Sequence, residues 1–240
     1  MRTLITMLLI GCSGWACADE LRWGFATADG MPYVDVHEQQ LRGGVIYKLG
    51  QLASQQLGYE AAFVETPNKR IDEFMQRGRI HVICNSNPQW IDKPERYHWS
   101  VPLYSEEDVL LLHRQHAPIN SLHELHGKTL GTQLGYVYKS ELMEAFAKQQ
   151  IIRQDLRDHS AGLNLLRKQR LDAIIDMRRP LNFQLAKRAD APLQINPWVI
   201  DRYDMHCTFS PQLPVSAELL DKTLQQLRDQ GLIEQMLNDI

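Results

Sequence analysis

The chain has 240 residues, 44% apolar and 23% charged, with a formal net charge of −3. That composition excludes intrinsic disorder, and the mild acidity argues against a nucleic-acid partner. The length suits one large domain or two small lobes.

Arg2 precedes an apolar run over residues 4–11, and the small-x-small triplet Ala16-Cys17-Ala18 follows. This pattern predicts a secretory signal peptide over residues 1–18, cleaved after Ala18. The run is too short to span a bilayer. The alternative is a lipoprotein box, Leu9-Ile10-Gly11-Cys12, which would tether Cys12 to a membrane. Removal of the signal leaves Cys84 and Cys207. Export permits a disulfide, but two cysteines distant in sequence do not establish one. Both lie in apolar, strand-like contexts, and the preferred reading is two buried thiols.

Residues 21–25 predict a first strand, followed by turn signals at Asp29-Gly30 and Met31-Pro32-Tyr33. Gly43-Gly44 opens a helix in which Val45, Ile46, Leu49, Leu52 and Ala53 recur at helical spacing, with Gly58 as its stop. Residues 61–64 predict a second strand. A short helix holding Ile71, Phe74 and Met75 follows Pro67 and ends at Gly78, and residues 80–84 predict a third strand. Alternating strands and helices predict a parallel α/β unit with right-handed crossovers.

A further strand is predicted at residues 109–112. Ser121 and Glu124 have capping-box spacing, so a short helix is predicted there. Helices are predicted from Val137 to Gln149, after a Ser160 cap, and following Pro180. Residues 170–176 predict a strand between the last two. A link containing Pro197 and Trp198 returns to a strand at residues 205–209. Val215, Leu219, Leu220, Leu224 and Leu227 mark an amphipathic helix stopped by Gly231, and Ile233, Met236 and Leu237 mark a last short one.

The segment from Arg77 to His113 combines a glycine, an apolar strand, a polar loop with cations, the turn Trp99-Ser100-Val101-Pro102-Leu103-Tyr104 and a second strand. It resembles the middle of the bacterial extracellular solute-binding proteins of the amino-acid type (family 3, polar amino acid ABC transporters). The element Gly127-Lys128-Thr129-Leu130-Gly131 is similar to the family's entry into its second lobe. Leu171-Asp172-Ala173 is similar to a family strand, with Gln169-Arg170 where a glycine is usual. The C-terminal pattern Leu-x-x-Leu-x-x-x-Gly also matches.

The resemblance covers essentially the whole mature chain. It implies an α/β, two-lobed periplasmic binding protein fold (type II), its lobes joined by two hinge strands. Lobe 1 would hold residues 19–107 and 202–240, and lobe 2 residues 108–201. It implies a monomeric periplasmic protein, neither enzyme nor cofactor-dependent. Such a protein closes on a small polar, amino-acid-like or anionic solute and delivers it to the membrane component of an ABC importer. The alternatives are an orphan binding protein or sensor of the same fold and, more remotely, a cyclohexadienyl-dehydratase-like enzyme.

The resemblance also implies site positions. Ligands sit at the C-terminal ends of the strands, which places residues 27–33, 66–70, 85–92 and 135–137 around the cleft. The family's carboxylate-binding arginine falls on Lys93, or on Arg96 if the loop is shifted by three residues. Lysine would replace a planar fork by a point charge. Asn85 and Ser86 keep the hydrogen-bonding ability of the residues before that arginine. Lys69 and Arg70 either make the cleft basic or form a solvated pair on a helix surface. Trp90 and Tyr33 either stack on the ligand or pack in the core. In the second lobe, Tyr136 and Val137 offer backbone N–H groups. Asp176 lies near the family's amino-group aspartate, with a salt bridge to Arg178 or Arg179 as the alternative. A first lobe carrying Lys69, Arg70 and Lys93 would tolerate an anionic solute.

His113/His116 and His123/His126 are both His-x-x-His pairs, read as surface residues rather than metal ligands. No phosphate loop, nucleophile elbow or dinucleotide fingerprint is present.

Overall fold

Leu21, Trp23 and Phe25 are fully or almost fully buried because their strand runs between two others. A computed structural model describes residues 19–188 and 191–239 of the chain. The signal-peptide and Cys12 expectations lie outside the described residues. β1 (Glu20–Phe25) is followed by a turn containing a cis Met31-Pro32 peptide and by a small hairpin, β2 (Asp35–His37) and β3 (Gln40–Gly43). The hairpin escaped the sequence reading because its turn residues, Glu38 and Gln39, adopt positive φ without the usual Gly or Asn.

α1 (Val45–Leu57) ends at Gly58, which takes the left-handed conformation the sequence anticipates for a stop. β4 (Glu60–Glu65), α2 (Ile71–Gln76) and β5 (Val82–Ser86) complete the first α/β unit. β4 and β5 both pair parallel with β1.

β6 (His98–Trp99) leads into β7 (Tyr104–His113), which starts well before the predicted residue 109. A second α/β unit follows: β8 (Thr129–Gln133), α3 (Ser140–Ala147), β9 (Ile152–Leu156), α4 (His159–Arg167), β10 (Ala173–Met177) and α5 (Arg178–Ala186). β11 (Leu193–Phe209), α6 (Ala217–Asp229) and α7 (Leu232–Asn238) close the chain.

Three local expectations need correction. The Ser121–Glu124 spacing yields only a 3-10 turn, in which Ser121 Oγ donates to Glu124 Oε1 over 3.2 Å. α3 is shorter than the predicted helix. α4 is capped by Asp158, whose Oδ1 accepts the Ala161 N–H at 2.8 Å, so Ser160 lies inside the helix.

The strand order is β4-β1-β5-β11-β7-β10-β8-β9, with β6 beside β11. β8 pairs parallel with β9 and with β10. β7 and β11 run antiparallel between the two parallel units, from Leu193 opposite His113 to Met205 opposite Tyr104. The predicted link before residue 205 is therefore itself strand. Register shifts between Ile195 and Val199 absorb Pro197, which cannot donate to a ladder. Asn196 fills in for the lost ladder there: its side chain accepts from the Ile119 N–H at 3.0 Å and donates to the Ile119 carbonyl at 2.6 Å.

Cys84 on β5 and Cys207 on β11 form a disulfide. This corrects the reading of two buried thiols. A register shift between His206 and Thr208 brings Cys207 across from Cys84, a relation set by pairing between strands 123 positions apart. No described helix is long and apolar enough to cross a membrane.

Candidate functional site

The C-terminal ends of β1 and β5 and the loop before α2 face the turn after β8 across a cavity of about 280 Å³. The first unit contributes Asp29, Lys69, Asp72, Asn85, Ser86, Trp90, Asp92 and Arg96, and the second contributes Gly135, Tyr136 and Val137. Of the eleven residues anticipated from sequence, Lys69, Asn85, Ser86, Trp90, Arg96, Tyr136 and Val137 line this space.

Four do not. Tyr33 is fully buried in the core, where its hydroxyl donates to Glu106 and its ring lies 6.0 Å from that of Tyr104. Arg70 pairs with Glu73 at 3.2 Å and covers the Phe74 ring, so the helix-surface alternative describes it. Lys93 is exposed and adopts φ 59° at the entry to a 3-10 turn, Pro94–Arg96. That turn carries Arg96, rather than Lys93, to the cavity. Asp176 lines a separate void of about 20 Å³ together with Gln133 and His159. It pairs with neither neighbouring arginine: Arg178 meets Glu107 at 2.6 Å and Arg179 meets Glu106 at 3.0 Å. The Tyr136 backbone N–H is also occupied, since it donates to the Gln133 carbonyl at 3.2 Å.

The structure brings forward groups that sequence reasoning passed over. Asp29, read as part of a turn, is buried on the cavity wall and accepts one bond from Asn85 Nδ2 at 3.1 Å. Asn85 is in turn fixed by the Tyr104 hydroxyl, which donates to its Oδ1 at 3.1 Å. Burial pushes the Asp29 carboxyl up to about 7, with the Asn85 bond opposing and the charge of Asp176 assisting. Asp108 is likewise pushed up to about 7 by burial, although the Tyr203 hydroxyl donates to it at 2.7 Å. Burial works against the protonated form of His159, but the charge and hydrogen bond of Asp176 outweigh it and raise the imidazole.

Trp90 stands between two tyrosines, tilted toward Tyr136 at 5.2 Å and edge-on to Tyr203 at 5.0 Å. The Tyr136 hydroxyl is buried without a hydrogen-bond partner among the described residues. Leaving a buried polar atom unpaired in this way is costly. No group of three or more His, Cys, Asp or Glu among the described residues is arranged to hold a metal ion.

No family model matches the sequence, and no curated protein does. Solved structures do. The ligand-binding core of GluR0, in complex with L-glutamate, superimposes with a TM-score of 0.77 at 12% identity, covering 94% of this chain and 99% of that one. The fold is that of the two-lobed periplasmic binding proteins. An amino acid ABC transporter substrate-binding protein, AbpA from Streptococcus pneumoniae, bound to L-arginine, shares this periplasmic-binding fold with a TM-score of 0.73 at 18% identity, covering 92% of this chain and 93% of that one. The ancestral amino-acid-binding protein AncCDT-1, a precursor of cyclohexadienyl dehydratase, matches at 0.73 and 17% identity, covering 92% of this chain and 94% of that one. In this chain β7 and β11 are the two long antiparallel strands between the two parallel units.

Proposed function

We propose that this protein is a periplasmic solute-binding protein that closes on a small, amino-acid-like solute and delivers it to an ABC importer. The observation that carries this reading is the 280 Å³ cavity, walled from both halves and lined by cations, carboxylates and an aromatic pair. Lys69 and Arg96 would meet an anionic group of the solute, while Asn85 and Ser86 supply neutral hydrogen-bonding groups. We place the lobe boundary at residues 107/108 and 201/202, within the paired strands β7 and β11. Bending at that pair would open and close the cavity. A solute that touches both walls binds the closed form better and so shifts the hinge equilibrium toward it.

A role in sensing on the same fold predicts the same binding without uptake. The likeness to AncCDT-1 motivates one check for catalysis, incubation with cyclohexadienyl acids, in which we expect no turnover. The direct test is a thermal-shift screen of the protein, refolded free of host-derived ligand, against amino acids, organic acids, polyamines and sugars. A solute at 100-fold its dissociation constant adds about 2.7 kcal/mol, which moves the midpoint by roughly 5–10 °C for a chain of this size. A folded, ligand-free protein that none of these solutes shifts would sink the proposal.

A further inference from the structure

The sequence suggests a basic cleft with an acid, Asp176, reaching in from the second lobe. The structure arranges the charges the other way. Asp176 is 2% exposed and its acceptor capacity is engaged. Its Oδ1 accepts the N–H of Met177 at 2.8 Å, while Oδ2 accepts from Gln133 Nε2 at 2.9 Å and from His159 Nε2 at 2.7 Å. The void beside it, about 20 Å³, has room for a water but not for a solute.

Asp29 stands on the wall of the larger cavity instead. It is the one buried charged residue among the described lining residues, while Lys69, Asp72, Asp92 and Arg96 are all exposed. Asn85 holds one carboxylate oxygen, Oδ2, and Oδ1 has no partner among the described residues. The Tyr104–Asn85–Asp29 chain orients this acid as a built feature. Tyr136 lines the same wall with its ring, while its hydroxyl is buried behind it without a partner among the described residues. A buried carboxylate with a single neutral donor lacks a counterion, and water screens the exposed lysine and arginine at the rim.

We infer that Asp29, not Asp176, is the acid that receives the solute, and that it selects solutes bearing an ammonium or guanidinium group at their buried end. The inference rests on the reading of this cavity as the solute site. Trp90 and Tyr136 add aromatic surface that also favours a cation. The Gln133–His159–Asp176 cluster then acts as a closed partition behind the site. Its groups facing Asp29 are His159 on α4 and Asp176 on β10, of opposite charge when His159 is protonated, so they largely offset each other.

The test is calorimetric titration of the full mature chain with L-arginine, L-glutamine and agmatine on one side, and glutarate and succinate on the other. Probes with a cationic nitrogen should bind and the dicarboxylates should not. Asp29→Asn should weaken the cationic probes at least tenfold, with Asp176→Asn changing affinity less than threefold. Binding near pH 6.5 should release a proton, read as a heat that varies with the ionisation enthalpy of the buffer. That readout needs only the wild-type protein, so it stands even if a variant fails to fold. Tightest binding of a dicarboxylate, or loss of binding in Asp176→Asn with Asp29→Asn unaffected, would overturn the assignment while leaving solute binding intact. If no probe binds a ligand-free, folded protein, both the assignment and the solute-site reading fall.

Discussion

Gly30, in the turn after β1, lies against His159 at the start of α4: a Cβ at Gly30 would stand 3.0 Å from His159 Cε1 and 3.2 Å from Nδ1. This contact joins the two halves of the molecule beside Asp29. Gly30 also holds φ 62° and ψ −175°, a conformation reserved almost wholly for glycine.

Gly30→Ala should therefore do two things. The backbone should cost about 1–2 kcal/mol of stability, and the added methyl should hold the halves apart. Gly127→Ala is the control, because Gly127 has φ 75° with nothing within 4 Å of its Cβ position. Both variants should lower the melting midpoint, but only Gly30→Ala should expand the particle in small-angle scattering and weaken solute binding. Equal affinity in the two variants would show that the Gly30–His159 contact plays no part in closure.

The acid groups predict how stability varies with pH. Burial raises Asp29 and Asp108 to about 7, and Asp176 raises His159. A group whose folded pKa is raised stabilises the fold fully below its unfolded pKa and loses that contribution as pH rises through its folded pKa. For the two aspartates the loss runs from about pH 4 to about pH 7, and for His159 it begins near 6.5. His81 opposes them: burial and the charge of Arg22 lower it to about 4, so its contribution is lost as pH falls from 6.5 to 4. From pH 5 to 6.5 the two aspartate losses outweigh the single His81 gain, and above 6.5 His159 adds a third loss, so stability declines across this range. Each proton is worth about 1.4 kcal/mol per pH unit. Asp29→Asn should flatten the decline between pH 5 and 6.5 by roughly that slope. Denaturant midpoints across this range provide the check, and a slope unchanged by Asp29→Asn would refute the assignment of its proton.

The Cys84–Cys207 disulfide closes a long loop, joining residues 123 positions apart. Constraint of the unfolded chain should make it worth about 2–5 kcal/mol. Reduction, or a Cys84→Ala/Cys207→Ala double variant, should lower stability by that amount. Cys84 also lines the cavity, so solute affinity should fall with it. An oxidised wild type no more stable than the double variant would contradict this.

Glu106 on β7 fastens the strand pair to both halves. It is 2% exposed and receives the Tyr33 hydroxyl, Arg179 Nη1 at 3.0 Å and the Glu107 N–H at 2.9 Å. Glu106→Gln keeps the shape but leaves Arg179 without its counterion. Arg179 is partly exposed, so we expect a loss of about 1–3 kcal/mol rather than the larger cost of a fully buried pair. A Glu106→Gln/Arg179→Met double variant should recover part of it in chemical denaturation, and failure to recover any would show that the Tyr33 bond dominates.

Local pattern made much of the fold legible. α1 was readable because its apolar positions repeat at 3.6 residues and Gly58 supplies the left-handed stop. β1 and β4 were readable as short apolar runs between turn signals. β11 was not, since Pro197 and Trp198 look like a link, and only its pairing with β7 and a register shift reveal a 17-residue strand. The α4 cap was misplaced by two residues because Asp158 and Ser160 are both good caps, and backbone geometry chooses between them.

In the candidate site, the sequence by itself determined which segments come together, since Lys69, Asn85, Ser86, Trp90, Arg96 and Tyr136 all lie at or after the C-terminal ends of strands that converge. The tertiary structure alone decided what those segments present. The turn that Lys93 opens with a positive φ brings Arg96 to the cavity rim, strand register joins Cys84 to Cys207, and His159 engages the acid that the sequence would have offered to a solute. Periodicity and stop signals are local properties of the chain. The pairing of a carboxylate depends on groups up to a hundred residues away, and no local pattern encodes which of them arrives first.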